Sequence, residues 1–213
     1  MRTASALHPT ADLIDTALYP SSDGVPIGET TAHVKAITDL YTVLQAHFAT
    51  APDVFIAANL ILYYHEGNPS ARKSPDVMVV KGLDKLERRS FFTWIEKRIP
   101  CTVFEFMSEK TWEEYLIHKK LVYAGLGVTE YFLYDPQAEY LPEQLMGFKL
   151  RGGEYIQLKP KHGGLTSTEL GLRLVADGLY VRLIDTRTHK PLWHGYEVYE
   201  QQQQAMEIGR AHV

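Results

Sequence analysis

Cysteine is nearly missing from the 213-residue chain: Cys101 stands alone, so no intrachain disulfide can form. Long apolar runs are missing too. Nothing approaches the roughly 18 consecutive apolar residues of a membrane span, and the first twenty residues, MRTASALHPTADLIDTALYP, lack the compact apolar stretch of a secretory signal. These absences lead us to expect a reduced, cytoplasmic protein with no membrane attachment. There is no Gly-x-Ser-x-Gly elbow and no phosphate-cradling P-loop, which removes two large groups of hydrolases. Metal-type histidine spacing is also absent: His65 and His118 are isolated, and His189 and His194 lie around Pro191 in an expected loop.

The chain has 45% hydrophobic and 11% aromatic residues, enough for the core of one domain. Its net charge of −4 argues against indiscriminate binding to nucleic acid, but charge is unevenly spread. Residues 72–98 hold eight basic side chains (Arg72, Lys73, Lys81, Lys85, Arg88, Arg89, Lys97, Arg98) against four acidic ones. That local excess makes Arg72, Lys73, Arg88 and Arg89 the candidates for touching a phosphate backbone.

Residues 1–28 are polar, carry a turn signal at Pro20 to Gly24, and read as a loose arm. Helical spacing of Val34, Ile37, Leu40, Tyr41, Leu44 and Phe48, with Thr31 as N-cap, predicts a helix through Ala49. Residues 53–64 (DVFIAANLILYY) read as one long strand, residues 76–80 as a short buried one, and residues 102–107 as another, with a helical turn within 90–97. From 111 to 126 the period becomes helical: Trp112, Tyr115, Leu116, Lys119, Val122, Tyr123 and Leu126 share a face, with Lys119 at its centre and Lys120 facing solvent. Ile117, Leu121 and Ala124 make the back of that helix apolar as well, and Gly125 and Gly127 end it. Residues 128–134 (VTEYFLY) return as a strand.

The order helix, strand, strand, strand, helix, strand predicts an α/β mixed sheet flanked by helices. Two hairpins follow, around Arg151-Gly152-Gly153-Glu154 and Asp177-Gly178, and read as a β appendage over 137–195 on a single domain that begins at 29. Residues 196–206 open a polar helix. The last seven residues, EIGRAHV, break its pattern and match the translated read-through of a common sequencing adapter, so residues 207–213 are expected to be an artefact. Trp94, Trp112 and Trp193 read as packing residues.

Two carboxylates interrupt apolar strands: Asp76 in SPDVMVV and Glu105 in TVFEFM. A buried carboxylate needs a cation or hydrogen-bond donors, and strand alternation puts Glu105 on one face with Val103 and Met107. Asp, Glu and the inward Lys119 at one sheet edge would suit metal-dependent phosphodiester chemistry. Glu66 and Asn59, near the expected sheet edge, are candidates for supporting contacts.

The segments NLILYYHEGNP, SPDVMVV, VFEFMS, HKKLVYAGLGVTEYFLYDP and GFKL resemble a restriction-endonuclease-like family of the PD-(D/E)XK nuclease superfamily, over roughly residues 30–160. The resemblance implies the αβββαβ core of type II restriction enzymes and a metal-dependent DNA endonuclease. In it Asp76 matches the PD aspartate and Glu105 the strand acid. The superfamily's lysine place, two residues after the acid, holds Met107 here. The resemblance assigns the lysine role to Lys119 on the following helix. It further implies Mg²⁺, with Mn²⁺ as a substitute, held by Asp76, Glu105 and the Phe106 backbone carbonyl, and 5′-phosphate and 3′-hydroxyl products. The alternatives are a non-catalytic scaffold of the same fold that binds nucleic acid or protein, and a nuclease directed at RNA. A homodimer is expected on the ground that cutting both strands takes two sites.

Overall fold

The first helix forms where the apolar period predicts it. In the computed structural model, which describes residues 18–19, 31–108 and 114–211, α1 runs Thr31–His47. Its buried face is His33, Ala36, Ile37, Leu40, Val43 and Leu44, whereas Val34 is exposed. The expected arm, apart from Leu18 and Tyr19, and the helix start at 111–113 with Trp112 lie outside the described residues. Tyr19 packs edge-on against Tyr63 and Phe92, with ring centroids 5.1 and 5.6 Å away.

The long strand expected over 53–64 is two strands, β1 (Val54–Ala58) and β2 (Leu62–Tyr63). The break is at Asn59, whose φ of 52° is left-handed and ends the extended run. Asparagine tolerates that conformation, and propensity alone could not place the break. After β3 (Arg72–Lys73) come β4 (Val77–Lys81), β5 (Phe91–Phe92), the short α2 (Thr93–Glu96) and β6 (Thr102–Phe106). A π-helical segment, Glu114–Lys119, leads into α3 (Lys120–Leu126). Gly127, at φ 89°, caps α3 by donating its N–H to the carbonyls of Ala124 and Tyr123. Then β7 (Glu130–Tyr134) returns parallel to β6.

Two further strands, β8 (Leu145–Arg151) and β9 (Glu154–Gln157), complete a six-stranded sheet of order β1-β4-β6-β7-β8-β9. Only the β6/β7 pair within it is parallel. The first expected hairpin therefore lengthens the central sheet, because β8 pairs along all of β7. The second lies in a separate antiparallel sheet of β10 (Leu165–Ser167), β11 (Leu172–Asp177) and β12 (Tyr180–Asp185). β2, β3 and β5 form a third small sheet. The chain closes with α4 (Gly195–Ala211), which runs without a break past residue 207.

The central sheet is buried on both faces. One face, with Val54, Ile56, Val77, Val79, Phe104, Phe106 and Phe132, packs on α1 and on Leu172, Leu174, Val181 and Leu183 of the second sheet. The other face, with Phe55, Met78, Val80, Val103, Met107, Tyr131 and Leu133, packs on Tyr123 of α3 and on Leu62 and Phe91. The alternation read from TVFEFM thus holds, with its two sets of side chains in different cores. Glu130 is a further buried carboxylate, joining β7 to the turn after β10. It accepts from the Thr168 N–H at 2.9 Å and the Thr168 hydroxyl at 2.8 Å, and from the Ser167 hydroxyl.

Candidate active site

Antiparallel pairing of β4 with β6 matches Val77 to Phe104, which sets Asp76, one residue earlier, opposite Glu105. Asp76 has the parity of Met78 and Val80, and Glu105 that of Val103 and Met107, so both carboxylates belong to the α3 face of the sheet. Asp76 is 4% exposed and Glu105 fully buried. The Phe106 N–H donates to Asp76 Oδ2 at 2.7 Å. Neighbouring backbone holds the Asp76 segment as well, since the Asn59 N–H donates to the carbonyls of Pro75 and Asp76 at 3.2 and 3.1 Å.

Lys119 reaches this face from the last position of the π-helical segment. Such segments are rare and recur at functional sites. Its ammonium, with the residue 4% exposed, donates to Glu105 Oε2 at 2.9 Å and to the Ser74 carbonyl at 3.0 Å. The inward lysine expected from the apolar stripe is therefore inward. Its neighbour Lys120, expected in solvent, is half-buried with its ammonium 3.8 Å from the centre of the Phe148 ring, and burial lowers its pKa. Ile117 and Leu121, on the back of the helix, are exposed.

The apolar stripe of the helix accounts for Tyr123 only as a packing residue. It is completely buried and donates its hydroxyl to Glu105 Oε1 at 2.8 Å. The signal that could have found it is its spacing, four residues after Lys119 on the same helix face.

The electrostatics follow from burial. Desolvation pushes the Glu105 pKa from its ordinary 4.5 up to about 8; the Lys119 ammonium opposes the rise, and the Asp76 carboxylate adds to it. Burial, together with the Glu105 charge, also raises Tyr123 well above its ordinary value, so its hydroxyl stays a proton donor. Two carboxylates crowded on a dry face are costly together, and a divalent cation between them would relieve that cost. The donors are all hard oxygens. Among the described residues no group of three or more His, Cys, Asp and Glu side chains is arranged for a metal. A site with two carboxylates fits Mg²⁺, which keeps several of its waters, better than it fits Zn²⁺.

The other sequence candidates separate. Arg72 and Lys73 form β3, directly before Ser74, whose carbonyl holds Lys119. Arg89 is exposed. Arg88 is instead held inside: its guanidinium donates to Glu96 Oε1 at 2.8 Å and to Asp84 Oδ1 at 2.9 Å, and lies 4.6 Å from the centre of the Phe55 ring. Lys85 donates to the Phe48 and Ala49 carbonyls just past the end of α1, and Arg98 to the Gly82 carbonyl. Much of the basic excess of residues 72–98 thus fastens the fold. The Asn59 contact to the Asp76 segment is made by its backbone, and Glu66 is exposed in the turn after β2. Trp94 packs beside Phe92, whereas Trp193 is 57% exposed rather than packed. His194, read only as a loop residue, is buried against Asp39.

Among curated proteins, no sequence matches this one. A solved structure described as a putative nuclease from Anabaena variabilis superposes with a TM-score of 0.51 at 12% identity, covering 70% of this chain and 81% of that one. At that identity the likeness concerns the fold alone. The Uma2 family, described as "putative restriction endonuclease", matches residues 19–179. With its central sheet and both strand carboxylates inside that span, the chain belongs to the Uma2 family.

Proposed function

We propose that this protein is a divalent-metal-dependent endonuclease that hydrolyses phosphodiester bonds of DNA. The observation that carries the reading is the meeting of Asp76, Glu105 and Lys119 on one buried face, from three separate elements. Membership of the Uma2 family, described as "putative restriction endonuclease", supports the reaction class. Asp76, Glu105 and the Phe106 carbonyl would hold Mg²⁺ or Mn²⁺, with the Phe106 N–H orienting the Asp76 carboxylate through one of its oxygens. A bound cation supplies polarisation of the scissile phosphate and a water of lowered pKa.

Lys119 does the remaining work of the chain. Its ammonium is anchored by Glu105 and the Ser74 carbonyl, so it is pre-oriented to direct the attacking water and to counter the charge that grows on the phosphoryl oxygens. Arg72 and Lys73 directly precede Ser74, and in this reading they are the side chains that would contact the phosphate backbone beside the site.

Incubation of purified protein with supercoiled plasmid and Mg²⁺ or Mn²⁺ tests the proposal. Wild-type protein should nick or linearise the DNA, and chelation, Asp76→Ala and Lys119→Ala should each abolish cutting. Equal cutting by all three proteins would refute the site. No cutting by the wild type, on DNA or on RNA, would leave the fold as a binding scaffold.

A further inference from the structure

We infer that Tyr123 is a positioning residue of this site, one that sets the plane of the Glu105 carboxylate for a divalent cation. The inference rests on the metal-dependent reading above and extends it to a residue outside the Asp, Glu and Lys set.

Lys119 and Tyr123 are four residues apart, so they project from one face of the helical segment and meet the same side chain. They do not compete for one atom. The ammonium takes Glu105 Oε2 at 2.9 Å and the hydroxyl takes Oε1 at 2.8 Å. The terminal torsion of a glutamate is broad and roughly two-fold, so one donor leaves the carboxylate free to swing. Donors on both oxygens stop that rotation. Each oxygen keeps a second acceptor position, and the clamped carboxylate can still face a cation.

The tyrosine is itself well fixed. Its carbonyl accepts the N–H groups of Gly127 and Val128, the latter at 3.0 Å, at the capped end of α3. Its ring lies 5.4 Å from that of Tyr131 on β7. A phenylalanine would fill the same apolar place, so the hydroxyl is the part that packing leaves unexplained. A buried hydroxyl needs a partner, and this one is directed at a carboxylate of the site rather than at a carbonyl of its own helix. Being neutral, it orients Glu105 without adding the repulsion that a second ammonium would bring to a bound cation.

The experiment compares wild type, Tyr123→Phe, Glu105→Gln and the double variant by calorimetric titration with Mn²⁺, alongside thermal melts. Tyr123→Phe should fold and bind Mn²⁺ about 10- to 100-fold more weakly, the usual cost of removing a group that orients a metal ligand. At saturating Mn²⁺ its DNA cleavage should recover, so the defect appears in the metal dependence. Added to Glu105→Gln, Tyr123→Phe should change Mn²⁺ binding no further, because its route of action is already gone. Wild-type-like Mn²⁺ affinity in a folded Tyr123→Phe overturns the inference while leaving the metal reading intact. A Tyr123→Phe that fails to fold also overturns it, since the hydroxyl is then structural. Wild-type protein that takes up no Mn²⁺ overturns the metal reading and this inference together.

Discussion

Glu105 should make the metal-free protein less stable as pH rises through neutrality, and Glu105→Gln should remove that dependence. Its folded pKa, about 8, lies above the ordinary value of 4.5. Between these values the unfolded chain has released the proton while the folded chain still holds it, so each rise in pH favours unfolding. The effect is absent below about pH 4.5, grows across the window, and levels off above about pH 8. The shift corresponds to about 5 kcal/mol as a ceiling, at 1.4 kcal/mol per unit. Urea unfolding at pH 5, 6.5 and 8.5 measures it as the difference between wild type and Glu105→Gln. Other titrating groups are common to both proteins: His47, which burial holds below its usual pKa, contributes the opposite slope and cancels. The wild type should lose stability relative to the variant across this range, and saturating Mg²⁺ should shrink the loss by favouring the ionised carboxylate. A constant difference from pH 5 to 8.5 would refute the assignment of Glu105 as a desolvated carboxylate.

Arg88 and Arg89 should behave as opposites. Arg88→Ala removes the guanidinium that neutralises Glu96, whose side chain is 3% exposed, and should cost about 3–5 kcal/mol in denaturant melts; Arg89→Ala should stay within about 0.5 kcal/mol and weaken DNA binding in a salt-dependent way. Gly147→Ala should cost about 1–3 kcal/mol, because its Cβ would lie 2.7 Å from the Phe132 ring and 2.9 Å from Leu165, and a melt as stable as wild type would mean that this core yields.

Local apolar pattern is a good guide to the central elements. It predicts α1 from a helical period over one buried face, and β4, β6 and β7 from short, nearly continuous apolar runs, because a strand covered on both faces needs apolar side chains on both. It failed at Asn59, where one left-handed residue divides an apolar run that looks continuous. Turn chemistry finds the first hairpin but not the strand beside it. That β8 pairs with β7 is a long-range choice which no local signal carries. Lys120 and Arg88 show a related limit. A charged residue reads as solvent-facing until the aromatic ring or the carboxylate that receives it is known.

For the site, residue identity alone marks the unusual elements: carboxylates at Asp76 and Glu105 in apolar strands, and a lysine at the centre of an apolar helix face. Each is informative alone, since placing charge among apolar neighbours is costly without a partner. Folding brings them to one place, with Lys119 paired to Glu105 and Asp76 set opposite that carboxylate. The antiparallel register of β4 and β6 sets Asp76 opposite Glu105, the crossover helix delivers Lys119 and Tyr123 to the two oxygens of a single carboxylate, and burial raises that carboxylate's pKa to about 8. Residue identity fixes which groups carry charge; distance and desolvation, which exist only once the chain is folded, fix what those charges can do.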